Sequence, residues 1–161
     1  MNFKLQYGED FDENYLKRIM EIDEIVYAED GYVGELKNMV ARYLVDPRQF
    51  VCIEDTESGR LAGYINFIPC TKALYEDIRY QSEHIRDDDI RPQELEPLKQ
   101  TGNDLFIISI ALHPDFKDTD AIKDLSNGWI DYLNRLETSG YPITSITATA
   151  VSPDGRKALH R

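Results

Sequence analysis

The sequence predicts an α/β fold of the α+β kind: a mixed, mostly antiparallel central sheet with helices on both faces. Three observations predict it. An alternating strand, Phe3, Leu5 and Tyr7, precedes two helical stretches; Phe50 to Glu54 and Leu61 to Ile68 lie close enough to form an antiparallel hairpin; and a nearly continuous apolar run, Leu105 to Leu112, leads through a long amphipathic helix to another strand. A hairpin combined with a strand-helix-strand crossover puts antiparallel and parallel neighbours into one sheet.

In the first strand, Lys4 and Gln6 alternate with the apolar side chains, the period of a half-buried strand. The acidic turn from Glu9 to Glu13 opens a helix in which Leu16, Ile19, Met20 and Val26 keep helical spacing. A second helix carries Leu36, Met39, Val40, Tyr43 and Leu44 until Pro47 ends it. Tyr27-Ala28-Glu29-Asp30-Gly31-Tyr32 is the loop between these helices, and Thr56-Glu57-Ser58-Gly59 is the hairpin turn. Residues 70–103 read as an ordered, charged insertion, with Leu74 and Ile78 predicting one short helix and Pro92 opening another. The run Leu105 to Leu112 has the pattern of a central strand buried on both faces, ended by His113-Pro114. From about Thr119 to Glu137 a helix presents Ile122, Leu125, Trp129, Leu133 and Leu136 to the core, and Gly140 stops it. Ile143 to Val151 is the next strand, and Pro153-Asp154-Gly155 turns into a helix beginning near Arg156. No repeat or linker divides the 161 residues, so 1–161 read as a single domain.

Acidic side chains outnumber basic ones, 30 against 18, for a net charge of −12. That field repels nucleic acid and anionic membrane surfaces and favours cationic partners or amine substrates. Cys52 and Cys70 both sit in apolar runs, which suits free buried thiols in a cytoplasmic, reducing setting. No apolar run is long enough for a membrane span, and Met1 to Asp10 lacks the pattern of a signal peptide. His84, His113 and His160 show no ligand spacing, and Asp87-Asp88-Asp89 lacks the spacing of a calcium loop. No metal site is expected.

The informative stretch is Ile108-Ser109-Ile110-Ala111-Leu112-His113-Pro114-Asp115-Phe116-Lys117-Asp118-Thr119-Asp120-Ala121-Ile122-Lys123-Asp124-Leu125. It resembles the signature of the GNAT N-acetyltransferase family, an apolar strand ending in V-H-P-x-[YF], then [RQ]-x-x-G-x-[GA] and a helix with Leu three residues on. Leu112, His113, Pro114, Phe116, Lys117 and Leu125 occupy matching positions. The upstream helices, the hairpin and Ser152-Pro153-Asp154-Gly155 fall in the family's order, so the resemblance spans most of the chain. It implies an acyl-CoA N-acyltransferase fold and acetyl-CoA as co-substrate. It also implies that backbone groups of Ile110, Ala111 and Leu112 pair with the pantetheine arm. The amide of Ile110 would stabilise the oxyanion, a contact type worth about 10²- to 10³-fold in rate. The pyrophosphate would lie against the helix start, contacted by Lys117, Asp118, Thr119, Asp120, Ala121 and Ile122.

Where the family pattern has glycine and then glycine or alanine, this chain has Asp120 and Ile122. A carboxylate about 6 Å from a phosphate charge costs roughly 3 kcal/mol at an effective dielectric near 20, about a hundredfold in affinity. Alternatively, Asp118, Thr119 or Asp120 caps the helix and takes amides that a phosphate would use. Phe106 stands near where family members can carry a carboxylate base. Glu24, Glu29 and Asp30 surround the loop where the family receives its amine, and Glu24 is the expected base. The family's late tyrosine acid and its last two strands have no counterpart before Arg161, which would leave the strand at 143–151 as an apolar edge open to a second copy. The expected function is transfer of an acetyl group from acetyl-CoA to an amine of a small or cationic acceptor. The alternative is a non-catalytic module of the same fold that acts through protein contacts.

Overall fold

The computed structural model describes residues 1–27, 29, 34–80 and 87–148. Among the described residues five strands stand in sequence order across one sheet: β1 (Phe3–Tyr7), β2 (Phe50–Asp55), β3 (Leu61–Pro69), β4 (Asn103–Leu112) and β5 (Ile143–Ala148). β1 to β4 are successive antiparallel neighbours, and β4 pairs β5 in parallel through the crossover helix. The helices are α1 (Glu13–Tyr27), α2 (Leu36–Tyr43), α3 (Lys72–Tyr80) and α4 (Ala121–Thr138). This is the mixed, mostly antiparallel sheet that the sequence predicts. Asp30 and the rest of the loop at 28 and 30–33, His84, the continuation of the last strand at 149–151, the Pro153-Asp154-Gly155 turn with its helix, and His160 lie outside the described residues.

Helices cover both faces, so β2 and β3 are buried along their whole length. On one face α1 and α2 bring Leu16, Ile19, Ile22 and Met39 against Phe50, Cys52, Tyr64 and Ala111. On the other, Leu125, Tyr132 and Leu136 of α4 pack on Val51, Ile53, Ile65, Phe67 and Leu105. Two buried apolar layers around one sheet are what such an amphipathic pattern must produce. The hairpin turn closes with Gly59 at φ 70°, a left-handed conformation suited to glycine. The Asp55 carboxylate accepts bonds from the Ser58 amide and hydroxyl there. Both cysteines are free and buried. Burial pushes the Cys52 thiol well above its ordinary range and the Cys70 thiol up to about 12.

Residues of the charged insertion form a third cluster, with Leu74 and Ile78 of α3, Ile90 and Leu95 packed on Ile68 and Phe106. Pro92 begins a three-residue 3-10 turn, Pro92–Glu94, in place of the expected helix. The chain cannot extend it because Leu95 turns back to bridge Cys70, and Glu94 offers its carbonyl to the Thr71 amide.

The core face of α4 keeps the expected Leu125 and Leu136, has the expected Trp129 and Leu133 packed partly buried against the same cluster, and adds Ala121, Gly128 and Tyr132. Ile122 departs from expectation and is exposed. The small residues follow from close packing on β1. A Cβ at Gly128 would stand 2.4 Å from Leu5 Cδ1, so this turn of the helix lies directly on that side chain. Tyr132 reaches through the layer to donate to Glu9 Oε1 at 2.7 Å.

Candidate functional site

The two edges of β4 are occupied differently along its length. β5 pairs with it from Asn103↔Ile143 to Ile107↔Ala148, so among the described residues 109–112 are paired on the β3 side only. The His113 amide donates to the Ala62 carbonyl at 2.8 Å, which makes Leu112 and its partner Gly63 a non-hydrogen-bonded pair. Two residues back, Ile110 opposite Ile65 is then another such pair, and its N–H and C=O point away from β3. Ile110 and Leu112 therefore present backbone groups to the free edge, whereas Ala111 turns its own toward Tyr64. The Ile110 carbonyl is met at that edge by the Tyr27 hydroxyl at 2.6 Å.

A bulge places the strand in this phase. Phe67 pairs with Ile107 but Asn66 with Ser109, which leaves Ile108 as an extra residue. Beyond it Ile110 turns to the α4 face with Ile65, and Ser109 shares the α1 face with Asn66, Tyr64 and Ala111.

β4 hands over to α4 through the 3-10 turn Pro114–Phe116. The His113 Nδ1 accepts from the Asp115 amide at 3.1 Å. Arg60 donates to Asp115 at 2.7 Å and holds that carboxyl below the usual carboxylate range. At the helix mouth Thr119 makes the cap contact: its Oγ accepts from the Ala121 amide at 3.2 Å and donates to the Phe116 carbonyl at 2.6 Å. Asp120 occupies the N-cap position, yet its carboxylate makes no cap bond. Among the described residues the amides of Ile122 and Lys123 donate no hydrogen bond. Lys117, Asp118, Asp120, Ile122 and Lys123 are all exposed around this mouth.

Glu24 lies exposed on α1, one turn before Tyr27, and Glu29 is exposed just beyond the helix. Between α1 and the start of β3 a groove of about 420 Å³ is lined by Arg18, Glu21, Ile22, Ile25, Arg60 and His113, among others, but not by Glu24 or Glu29. The structure also gathers residues that sequence reasoning missed. Asp23, Tyr64, Ser109 and Tyr27 form one hydrogen-bonded cluster on the α1 side of Ile110. Among the described residues there is no group of three His, Cys, Asp or Glu placed to hold a metal ion, and no helix is long and apolar enough to cross a membrane.

This sheet, with its bulged fourth strand and the helix springing from that strand's end, is the acyl-CoA N-acyltransferase fold of the GNAT acetyltransferases. The loading GNATL domain of CurA from Lyngbya majuscula superposes with a TM-score of 0.62 at 12% identity, over 96% of this chain and 69% of that one. Glucosamine-6-phosphate N-acetyltransferase from Arabidopsis thaliana gives 0.55 at 12% identity, over 99% of this chain and 89% of that one. AAC(6')-Iy, solved with the bisubstrate analogue CoA-S-monomethyl-acetylneamine, gives 0.55 at 10% identity, over 99% and 88% respectively. No protein-family model and no curated protein matches the sequence. At these identities the likeness is one of fold.

Proposed function

We propose that this chain is an N-acetyltransferase that moves an acetyl group from acetyl-CoA to the amine of a small or cationic acceptor. The observation that carries the reading is the outward-facing backbone of Ile110 and Leu112 at the free edge of β4, in a GNAT fold, beside a helix mouth with unpaired amides. A pantetheine arm needs such an edge for its amides, and a diphosphate needs such a mouth. The residues fit both: the Ile110 amide is the oxyanion donor, Leu112 and Ala111 flank the arm, and 117–122 receive the phosphates. Glu24 takes a proton from the incoming ammonium through water before attack. The net charge of −12 draws a cationic acceptor toward the α1 surface. Two free buried thiols accord with a cytoplasmic setting.

Isothermal titration with acetyl-CoA, paired with thiol release from acetyl-CoA over a panel of diamines, amino sugars and peptide N-termini, is the direct test. Binding with turnover on one class of amine is expected. Absence of both heat and thiol release at millimolar acetyl-CoA would end this reading.

Asp120 supplies a sharper check. Its carboxylate is exposed and caps nothing, so its removal costs no helix-cap bond, while solvent screening reduces its repulsion of a phosphate below the low-dielectric figure. Asp120→Gly is expected to tighten acetyl-CoA binding about tenfold, the ratio being read from the two titrations. An unchanged affinity would place the phosphates elsewhere.

We also propose that β5, the last strand of the sheet among the described residues, is an interface with a second copy. Its Ile146 is 43% exposed, beside Ile130 of α4 at 52%. Together with Leu133 and Ile143 these line a groove of about 350 Å³. Sedimentation should give a dimer; a monomer at high micromolar concentration would refute it.

A further inference from the structure

On the α1 face of the sheet one line of polar side chains runs from a buried carboxylate to the free edge of β4. Asp23 sits on the inner stripe of α1, next to Ile19 and Ile22, and is only 4% exposed. Its carboxylate accepts a hydrogen bond from the hydroxyl of Tyr64, which is 1% exposed on β3. Tyr64 Oη lies 2.9 Å from Ser109 Oγ, Ser109 donates to Tyr27 Oη at 3.3 Å, and Tyr27 donates to the Ile110 carbonyl at 2.6 Å. Four side chains thus form an unbroken chain of exchangeable protons from a buried carboxylate to the free edge of β4. Burying a carboxylate costs several kcal/mol that apolar packing would not incur. The bulge in β4 brings Ser109 into the line, since without the extra Ile108 that hydroxyl would face α4. Burial, reinforced by the Asp23 charge, pushes the Tyr64 hydroxyl well above its ordinary range, so Tyr64 keeps its proton and bridges Ser109 to Asp23.

We propose that Tyr27, Ser109, Tyr64 and Asp23 are a proton relay that carries the reacting amine's proton to the departing sulfur. This inference rests on the N-acetyltransferase reading. The neutral amine's nitrogen bonds to the thioester carbon, and the electron pair of the carbonyl moves to oxygen at the Ile110 amide. The proton lost by nitrogen passes to Tyr27 Oη, that of Tyr27 to Ser109 Oγ, that of Ser109 to Tyr64 Oη, and that of Tyr64 to the Asp23 carboxylate. Rotation of the Tyr27 hydroxyl from the Ile110 carbonyl toward Ser109, and of the Ser109 hydroxyl from Tyr27 toward Tyr64, opens the path. As the carbon–sulfur bond breaks, its electron pair leaves on sulfur and the protons return along the same line. Sulfur is protonated by Tyr27, and Asp23 is again a carboxylate. One amide and one thiol form, and no outside acid or base is consumed. Tyr27 is the catalytic residue of the four, and the other three act through it.

The test measures kcat and KM of the full chain, using the amine that turns over fastest in the panel above. Alongside it, titration with an unreactive thioether analogue of acetyl-CoA reads binding apart from chemistry. Tyr27→Phe is expected to lower kcat about a hundredfold, within the range for a lost general acid–base group. KM for acetyl-CoA and affinity for the analogue should stay within about threefold, a split that mere loosening of the core would not give. Asp23→Asn should follow the same split; should it fail to fold, Ser109→Ala breaks the line at a less buried point. Tyr27→Phe and Ser109→Ala each keeping more than about a third of wild-type kcat would overturn the relay and leave the acetyltransferase reading standing. A wild-type chain that neither binds the analogue nor releases thiol would overturn both.

Discussion

Phe67→Ala should cost this protein about 3–5 kcal/mol of stability, the range for a fully buried aromatic replaced by alanine. Phe67 is wholly inaccessible on β3, its ring edge-on to Trp129 at 6.0 Å and to Tyr132 at 6.2 Å. Both partners belong to α4, so the ring joins the sheet to the helix whose first turn forms the proposed phosphate site. It also stands opposite Ile107, next to the bulge that aims Ile110 and Ser109. Removing it leaves a cavity between rigid walls of β-sheet and long helix, which can relax only partly. A chain of this size has a total stability of roughly 5–15 kcal/mol, so the loss is a large share of it. In thermal melts the midpoint should fall by about 10 °C or more. A fall of only 1–2 °C would mean that α4 is anchored by other contacts and that Phe67 does not couple it to the sheet.

The strands were legible because each carries its own pattern. Phe3, Leu5 and Tyr7 alternate at one edge, whereas Leu105 to Leu112 is apolar but for Ser109. Helices and the insertion bury Leu105 and Phe106 from both sides, while Ile110 stands exposed near the strand's end, where the sequence predicts burial on both faces. The hairpin was legible from its turn residues, and Gly59 adopts the positive φ that such a turn needs. The core face of α4 was legible at Leu125, Trp129, Leu133 and Leu136 and misread at Ile122, because counting large apolar residues passes over the small ones. The helix instead approaches the sheet through small residues, Ala121 and Gly128, where close contact excludes large ones. At the helix mouth, three residues competed for the cap. Thr119 makes the contact because its hydroxyl can accept from Ala121 while donating to Phe116, which a carboxylate cannot do.

The hydroxyl line beside Ile110 was not legible for a different reason. Asp23 lies among Glu21 and Glu24 and reads as another surface acid, although it falls on the stripe that Leu16, Ile19 and Met20 begin. That position was the available signal. Its partners are 41 residues away at Tyr64, and Ser109 is a further 45 beyond Tyr64. The alternation of β4 assigns Ser109 to the wrong face until the bulge is known. A resemblance of sequence located the strand and the helix of the site, because those follow from local pattern. Long-range pairing created the polar line, and only the assembled sheet brings it together.

Gly63→Ala should damage stability and cofactor binding together, because it acts on the seam between β3 and β4 where both are decided. Gly63 faces Leu112 across that seam. A Cβ there would stand 2.7 Å from the Ala111 carbonyl oxygen and 3.0 Å from Leu112 Cδ1. The leucine terminus can swing aside, but the carbonyl is fixed by the ladder and by the His113 amide that bonds Ala62 next to it. The strands must therefore part by a few tenths of an ångström at 111–112, at an overpacking cost of about 1–3 kcal/mol. The same displacement moves Ile110 and Leu112, whose backbone groups face the free edge, and pulls Ile110 from the Tyr27 hydroxyl. Acetyl-CoA affinity should drop about tenfold in titrations run well below the melting midpoint, where the variant is still fully folded. The Phe67→Ala variant, equally destabilised or more so, should hold its affinity better under the same conditions, because its cavity lies behind the strand and not at its edge. If both variants lost affinity in proportion to stability alone, the seam would have no special part in binding, and the edge of β4 would not be where the thioester arm lies.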